Sequence, residues 1–384
     1  MRASELDWAA AKEYTEGYKS AQRTEARWQT MTRIAVIPGD GIGNEVVPEA
    51  VKVLKAVDRL FHLGLEFEFF DFGAERYLKT GQAIPDDIDQ IIDGLPDRFD
   101  TALFGAAGTD PRVPPDQVAS PVLRGLRRRL DLYANLRPCR LLDASLTPLK
   151  GKTEQDIDFV VFRENTEGYE SGSAGTLKVG TPDEVEIRPE INTAKGVRRI
   201  IEYAFDYAHQ HGHSRIDMAE KGLPNGLWGR TFQEVGEGYP KIEQHHTHVD
   251  TLAYAMLISP EQLQVIVAEN RAGDILSDIA GAIQGGRGLS PTGCFNPNRH
   301  FCYFEPIHGT GPDIIGKKVA NPMAAILAGS MLLEHAGHAE AAMMVESAVA
   351  EAVKTGYTTP DLGGNLSTTQ VGNFIRRELR RMAG

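Results

Sequence analysis

Short apolar runs alternate with helical periods along most of this chain. Ile34-Ala35-Val36-Ile37 reads as a buried strand and Pro38-Gly39-Asp40-Gly41-Ile42-Gly43 as a turn. Val46, Val47, Ala50, Val51, Leu54 and Val57 then repeat at the spacing of a helix. Strand, glycine turn and helix make the opening unit of an alternating α/β fold. Similar runs recur at Thr101 to Phe104, Phe159 to Phe162 and Val265 to Val267, and a helix is expected from about Met323 to Leu333. The stretch from Glu170 to Ile191 breaks the alternation. Its first part is rich in Gly, Ser and Thr; its second alternates Glu184, Glu186 and Arg188 with Val185 and Ile187, a period of two that predicts an extended arm or hairpin. Residues 1–30 mix acidic and basic side chains around Ala9-Ala10-Ala11, which favours an appended surface helix, and they lack the apolar core of a signal peptide.

Composition narrows the function classes. A chain of 384 residues with 41% hydrophobic and 24% charged side chains has material for more than one globular domain. Its 41 Lys and Arg against 53 Asp and Glu leave a net charge of -12, which argues against a nucleic acid or an anionic membrane as partner. Small anions remain possible ligands, because they need only a local group of arginines. No apolar run approaches the roughly 20 residues of a membrane span. Cys139, Cys294 and Cys302 are widely separated, so neither a disulfide scaffold nor a thiolate zinc site is indicated. A soluble, cytoplasmic protein is expected.

Candidate chemistry is carried by scattered clusters. The Gly39-x-Gly41-x-Gly43 turn satisfies neither GxGxxG nor a P-loop, and reads as structural. In Leu123-Arg124-Gly125-Leu126-Arg127-Arg128-Arg129, the arginines 124, 127 and 128 share one helical face. Arg137 and Arg163 sit at the edges of apolar segments, where an unpaired charge is costly. Converging guanidinium groups suit a di- or tricarboxylic acid, which each can grip through two hydrogen bonds. Asp274 and Asp278 are one helical turn apart; such a pair is commonly just solvated, but with Asp250 it also makes an oxygen-only set suited to Mg²⁺ or Mn²⁺. The clusters His209/His211/His213 and His245/His246/His248 lack zinc spacing and read as surface histidines. Phe304 to Asp313 is a polar, glycine-rich loop that reads either as a plain surface loop or as one that wraps an adenine and ribose; if a dinucleotide binds there, Asp313 favours NAD over NADP, because a carboxylate repels a 2′-phosphate.

Together, Ile34 to Gly43, Arg127 to Pro138, Arg163 to Gly168, Gly273 to Asp278 and Glu305 to Pro322, in that order, resemble the β-decarboxylating hydroxyacid dehydrogenases. These are the isopropylmalate, isocitrate, homoisocitrate and tartrate/D-malate dehydrogenases, and the resemblance runs from about Arg33 to the C-terminus. It implies a two-domain α/β fold unlike the Rossmann fold, an interdomain cleft and a homodimer with shared active sites. The larger, NAD-binding domain would comprise residues 32–132 and 285–384. The smaller would comprise 133–284, with a dimerisation arm at about 170–191, and 1–31 would be an N-terminal extension. By this resemblance Arg127, Arg137 and Arg163 would hold the substrate carboxylates. Asp274 and Asp278, with Asp250 from the other subunit, would bind Mg²⁺ or Mn²⁺. Lys221, also from the partner chain, would remove the hydroxyl proton, and Glu305, His308, Gly309, Asp313 and Asn321 would form the NAD loop. The activity implied is NAD- and metal-dependent oxidative decarboxylation of a malate-type 2-hydroxy-3-carboxy acid.

Three departures from the family pattern stand out. The tyrosine expected at position 170 is displaced to Tyr169, followed by Glu170, so either residue is a candidate proton donor. The family's Lys-x-Asn is replaced by Lys221-Gly222-Leu223-Pro224-Asn225, and the segment from Gly108 to Pro121 is unlike that of the commonest members. Substrate identity is expected one turn before Arg127. Leu123 resembles the leucine that isopropylmalate enzymes set against an apolar tail, whereas Arg124 matches an arginine of homoisocitrate dehydrogenases and suits an anionic tail. A polar or anionic substituent is therefore preferred, with 3-isopropylmalate second. A binding homologue with impaired turnover and a dehydrogenase with histidine metal ligands are the other readings.

Overall fold

Side chains of period two sort the strands onto the two faces of one large sheet. The computed structural model describes residues 32–384, so the helix expected within residues 1–30 lies outside the described residues. The first unit is β1 (Thr32–Gly39), α1 (Gly43–Phe61) and β2 (Leu65–Phe69), as the opening pattern predicts. After α2 (Ala74–Thr80) and α3 (Ile88–Arg98) come β3 (Thr101–Ala106), α4 (Ser120–Arg129), β4 (Ala134–Arg140) and β5 (Asp158–Glu164). A short hairpin of β6 (Gly175–Leu177) and β7 (Val185–Ile187) follows, then α5 (Ala194–Gln210), β8 (Arg215–Glu220), α6 (Leu227–Gly236), β9 (Glu243–His248) and α7 (Val249–Ile258). The chain continues through β10 (Val265–Ala268), α8 (Asn270–Ile283), β11 (Pro291–Phe295) and β12 (Cys302–Pro306). It ends with α9 (Met323–His335), α10 (Ala339–Lys354) and α11 (Thr368–Met382).

Among the described residues, ten strands form one sheet in the order β2-β1-β3-β12-β11-β4-β5-β10-β8-β9. Parallel blocks lie at its two ends, and the centre is antiparallel: β11 runs against both β12 and β4, and β4 against β5. Strands from residues 32–132 and 285–384 fill one half of the sheet, those from 133–284 the other, and they meet where β11 pairs with β4. The alternating segment at 184–188 forms β7, which pairs antiparallel with β6 as the expected hairpin.

The two faces are packed differently. On one, Ile34, Val36, Leu103, Phe304, Phe162, Val160, Val267 and Ile216 belong to a single apolar core shared with α1, α5, α9 and α10. On the other, the apolar residues fall into two clusters. Ala35, Ile37, Ala102, Phe104 and Tyr303 pack with α3 and α4, whereas Cys139, Phe159, Val161 and Ile266 pack with α7 and α8. Alternation along the central strands places Glu305, Thr292, Asn135, Arg137 and Arg163 on this second face, between the clusters. Polar residues at the middle of a sheet thus divide one core into two and leave a polar seam.

The first glycine turn braces the neighbouring loops. Gly41 has φ +52° and a Cβ there would lie 2.3 Å from the carbonyl oxygen of Thr310, so only glycine fits. Between the glycines, fully buried Asp40 accepts backbone N–H bonds from Ala74 (2.8 Å), Gly108 (3.0 Å) and Ala119 (2.8 Å). Burial pushes its carboxyl pKa up against the pull of those three bonds. Asp40 thereby anchors both ends of the atypical segment from Gly108 to Pro121.

Candidate active site

Three arginines from three elements converge on the polar seam. Arg127 reaches it from α4, donating from Nε to the Tyr303 hydroxyl and from Nη2 to Glu305 Oε1, both at 2.8 Å. Arg137 lies within β4 and Arg163 near the end of β5, with Asn135 directly opposite Arg163 in the strand register. Only 7% of Arg137 and 5% of Arg163 is exposed, and a guanidinium so buried must be paired. Arg137 donates from Nε to Asn135 Oδ1 (2.6 Å) and from Nη1 to Ser277 Oγ (2.5 Å) and Asp274 Oδ1 (3.2 Å). Arg163 donates from Nη2 to Asn270 Oδ1 (2.7 Å) and from Nη1 to Asp274 Oδ1.

Helix α8 delivers Asn270, Asp274 and Ser277 on one face. Its start is set by Glu269, whose carboxylate accepts the N–H groups of Arg271 (2.7 Å) and Ala272 (2.6 Å) as an N-cap. Gly273 lets the helix lie directly on β5, because a Cβ there would be 2.7 Å from that of Arg163. Three guanidinium groups therefore face two carboxylates, Asp274 and Glu305, which leaves the seam cationic. Burial opposes the charged form of Asp274, yet Arg163, Arg137 and Arg127 outweigh it and hold its pKa below the usual carboxylate value. Burial, and then Arg137 and Arg127, pull the Arg163 guanidinium down to about 10, still charged at neutral pH. For Arg127, burial is outweighed by Tyr303 and Glu305, and its pKa rises.

The remaining residues singled out in the sequence lie around this seam or away from it. Leu123 is partly buried against the α3–α4 cluster; Arg124 is exposed and has no ion-pair partner among the described residues. Asp278, one turn beyond Asp274, is bound by Arg287 Nη2 at 2.5 Å. Lys221 and Asp250 pair with each other at 2.7 Å, with side chains 64% and 65% exposed, and the ammonium holds the Asp250 pKa low. Among the described residues no three His, Cys, Asp or Glu side chains of one chain gather as a metal site. The histidines accord with that: His245 sits 2.8 Å from Glu243, His246 3.3 Å from Glu220, and His211 stacks on Tyr207. Tyr169 is at the root of the hairpin, its hydroxyl accepting from Arg188 Nη1 (3.0 Å) and its ring 4.6 Å from the Arg271 guanidinium; Glu170 is exposed. Asn225 offers its carbonyl to Arg230 (2.7 Å) in the turn before α6.

The loop from Glu305 to Asn321 carries the residues that the sequence reading assigns to NAD. His308 Nδ1 lies 3.0 Å from the Gly309 carbonyl oxygen, and burial lowers the ring's pKa, so the ring is neutral and donates from Nδ1. Its Nε2 is then a buried acceptor without a partner among the described residues. A Cβ on Gly309 would meet nothing within 4 Å, so the loop is open at that point, and Asp313 is exposed. Asn321 is committed: Oδ1 accepts the Met323 N–H (3.0 Å) at the start of α9 and Nδ2 donates to Asp361 (3.0 Å). The sequence reading passed over Asn135, Asn270, Ser277 and Tyr303. Their signal was spacing: Asn135 is two residues from Arg137 on a strand, Tyr303 two from Glu305, and Asn270 and Ser277 are four and three from Asp274 on a helix.

Known proteins resemble this chain over most of its length. Residues 33–375 match the family described as isocitrate/isopropylmalate dehydrogenase. A 3-isopropylmalate dehydrogenase of Thermobifida fusca is 40% identical over 352 residues, covering 90% of this chain and 97% of its own length. A D-malate dehydrogenase [decarboxylating] of Escherichia coli is also 40% identical, over 362 residues covering 91% and 99%. The crystal structure of isocitrate dehydrogenase from Methylococcus capsulatus superposes with a TM-score of 0.80 at 33% identity, covering 91% of this chain and 100% of that one.

Proposed function

Because the chain belongs to the isocitrate/isopropylmalate dehydrogenase family, we propose that it catalyses the NAD⁺- and divalent-metal-dependent oxidative decarboxylation of a malate-type 2-hydroxy-3-carboxy acid with a polar or anionic substituent. It is an oxidoreductase of that family, whose members use NAD and a divalent metal. The observation that carries the substrate class is the convergence of Arg127 on Glu305 and of Arg137 and Arg163 on Asp274 in one cationic seam. In this reading the seam lies between a larger domain of residues 32–132 and 285–384 and a smaller one of 133–284. Arg127, Arg137 and Arg163 bind and orient the two carboxylates, using the hydrogen-bonding partners they already share to hold their places.

Asp274 and Asp278 fit a hard cation: both are carboxylates on one helix face, and the Asp274 side chain is 52% exposed. Asp250 completes the set from a neighbouring chain, and its ion pair with Lys221 lets the two enter that neighbour's seam as a unit. The unpartnered His308 Nε2 and the open backbone at Gly309 fit the adenine end of NAD. Bound there, the cation supplies stabilisation of negative charge and NAD⁺ the acceptor for hydride. Lys221, once it has given up its own proton and stands as the neutral amine, takes the hydroxyl proton. Tyr169 or Glu170 returns a proton after CO₂ leaves; the Tyr169 hydroxyl is held by Arg188 in the chain described. The apolar side chains exposed on the hairpin (Leu177, Val179, Val185, Ile187) and on α7 (Tyr254, Leu257, Ile258) suit burial against a second copy. No helix among the described residues is long and apolar enough to cross a membrane, and all three cysteines are buried and free, which fits a reducing cytoplasm.

The test is a substrate screen with D-malate, tartrate, isocitrate, homoisocitrate, 3-isopropylmalate and phosphonate analogues, each with NAD⁺ and Mn²⁺. Turnover is expected with a polar or anionic member and is abolished by EDTA. Fastest turnover of 3-isopropylmalate selects the second reading, for which partly buried Leu123 provides an apolar contact. Binding of these acids with no turnover of any selects the impaired homologue. If the substituent is anionic, Arg124→Ala is expected to lower kcat/KM for that acid about tenfold and to leave D-malate nearly unaffected. Asp313→Ala is expected to raise kcat/KM with NADP⁺ about tenfold relative to NAD⁺, because the carboxylate that repels a 2′-phosphate is gone. An unchanged coenzyme ratio removes Asp313 from that role.

A further inference from the structure

Arg127 and Arg137 are carried by successive elements, and the chain joining them passes through Asp131. That residue takes a left-handed conformation, φ +50°, uncommon outside glycine though less so for Asp than for most residues. Arg199 of α5 holds its side chain. Its Nη1 lies 2.9 Å from both carboxylate oxygens of Asp131, and its Nη2 donates to Thr166 Oγ1 at 2.9 Å, three residues beyond Arg163. The same guanidinium lies 4.1 Å from the centre of the Tyr133 ring. From the end of β11, Asn296 Nδ2 donates to the Asp131 carbonyl oxygen at 2.9 Å. The Arg199 side chain is 15% exposed and that of Asp131 35%, so the pair is largely shielded from water.

Asp131 therefore stands where the two halves of the sheet exchange chain, held from one half by Arg199 and from the other by Asn296. Its backbone is tied to the helix that bears Arg127, since Leu132 N–H donates to the Arg127 carbonyl at 2.9 Å. Thr166 ties the same guanidinium to the strand that bears Arg163. We propose that Arg199 is a positioning residue. Its grip on Asp131 and Thr166 sets the Arg127 guanidinium against Arg137 and Arg163 at the spacing that two carboxylates of one substrate require. Arg199 acts through Asp131 and does not itself touch the acid. A planar fork is needed for this, and an ammonium cannot reproduce it. Arg199 and Asp131 have no hydrogen bond to the loop from Glu305 to Asn321 among the described residues, and that loop meets the hub only at one remove, where Arg127 holds Glu305 at 2.8 Å, so acid binding should respond more than cofactor binding.

This assignment rests on the proposed reaction, and its test separates the two. Arg199→Lys, Asp131→Asn and the double variant are assayed as full chains with NAD⁺, Mn²⁺ and whichever of D-malate, tartrate, isocitrate, homoisocitrate or 3-isopropylmalate the wild type turns over fastest. KM for the acid is expected to rise about tenfold in each single variant, with KM for NAD⁺ within about twofold of wild type. The double variant should be no worse than the weaker single one, because both substitutions open the same link. Asp131→Asn is isosteric and carries the test if Arg199→Lys fails to fold. A lowered Tm with unchanged acid KM, or a parallel rise of both KM values, overturns the positioning role. A wild type inactive with every acid overturns the proposed reaction itself, and this assignment with it.

Discussion

Asp274→Asn is expected to lower kcat/KM by about 10³-fold while NAD⁺ affinity changes by less than about twofold. The amide keeps an oxygen for Arg163 and Arg137 to donate to, but it removes the carboxylate assigned to the cation. It also removes the negative charge between two guanidinium groups that are almost wholly buried. Steady-state kinetics over a Mn²⁺ series, with calorimetric titration of NAD⁺, separate the two effects; wild-type turnover at low Mn²⁺ would sink the assignment. A smaller stability effect accompanies it, about 1 kcal/mol, because the Asp274 side chain is half exposed and solvent screens the pairs. The arginines hold the native Asp274 pKa below its ordinary 3.8. The folded state thus binds that proton less readily than the unfolded chain, and the pairing stabilises the protein above pH 3.8. The stabilisation is lost as pH falls through the lower native value. Urea unfolding of wild type and variant should therefore differ by a constant amount near neutral pH and converge in strong acid.

Lys221→Ala is expected to lower kcat by about 10³-fold with little change in NAD⁺ binding, since it removes the group assigned to take the hydroxyl proton. The more telling experiment mixes subunits. In the chain described, Lys221 is paired with Asp250 on an exposed surface, and no contact joins either to Asp274. If they serve a neighbouring chain, a dimer of one Lys221→Ala and one Asp274→Asn subunit has one intact site. Co-refolding equal amounts of the two inactive variants should then restore about a quarter of wild-type activity. Recovery of nothing, with mixed dimers demonstrated by differential tagging, would mean that each chain builds its own site.

Much of the fold was legible because its elements are coded locally. The apolar run before Pro38, the helical period after Gly43 and the alternation at Val185 and Ile187 each became the expected element. Other strands left no such trace. β9, with the sequence Glu-Gln-His-His-Thr-His, is the edge of the sheet and buries little, so its histidines looked like a cluster when they are strand positions. β6 lies in the Gly-, Ser- and Thr-rich part of the hairpin, where every position is exposed and period two carries no apolar signal.

The candidate site divides in the same way. Which side chains could grip carboxylates or a hard cation, and that Asp274 and Asp278 share a helix face, followed from residue type and from spacing within a turn or two. That Arg163 and Arg137 meet on Asp274 did not, because those contacts span 111 and 137 residues. They exist because β4, β5 and α8 stack around the centre of a ten-stranded sheet, where apolar clusters lie on either side and the buried Arg137 and Arg163 guanidinium groups share the Asp274 carboxylate as counter-charge. The alphabet of the site is written in the chain; its assembly is the work of long-range packing, which no local window of residues records.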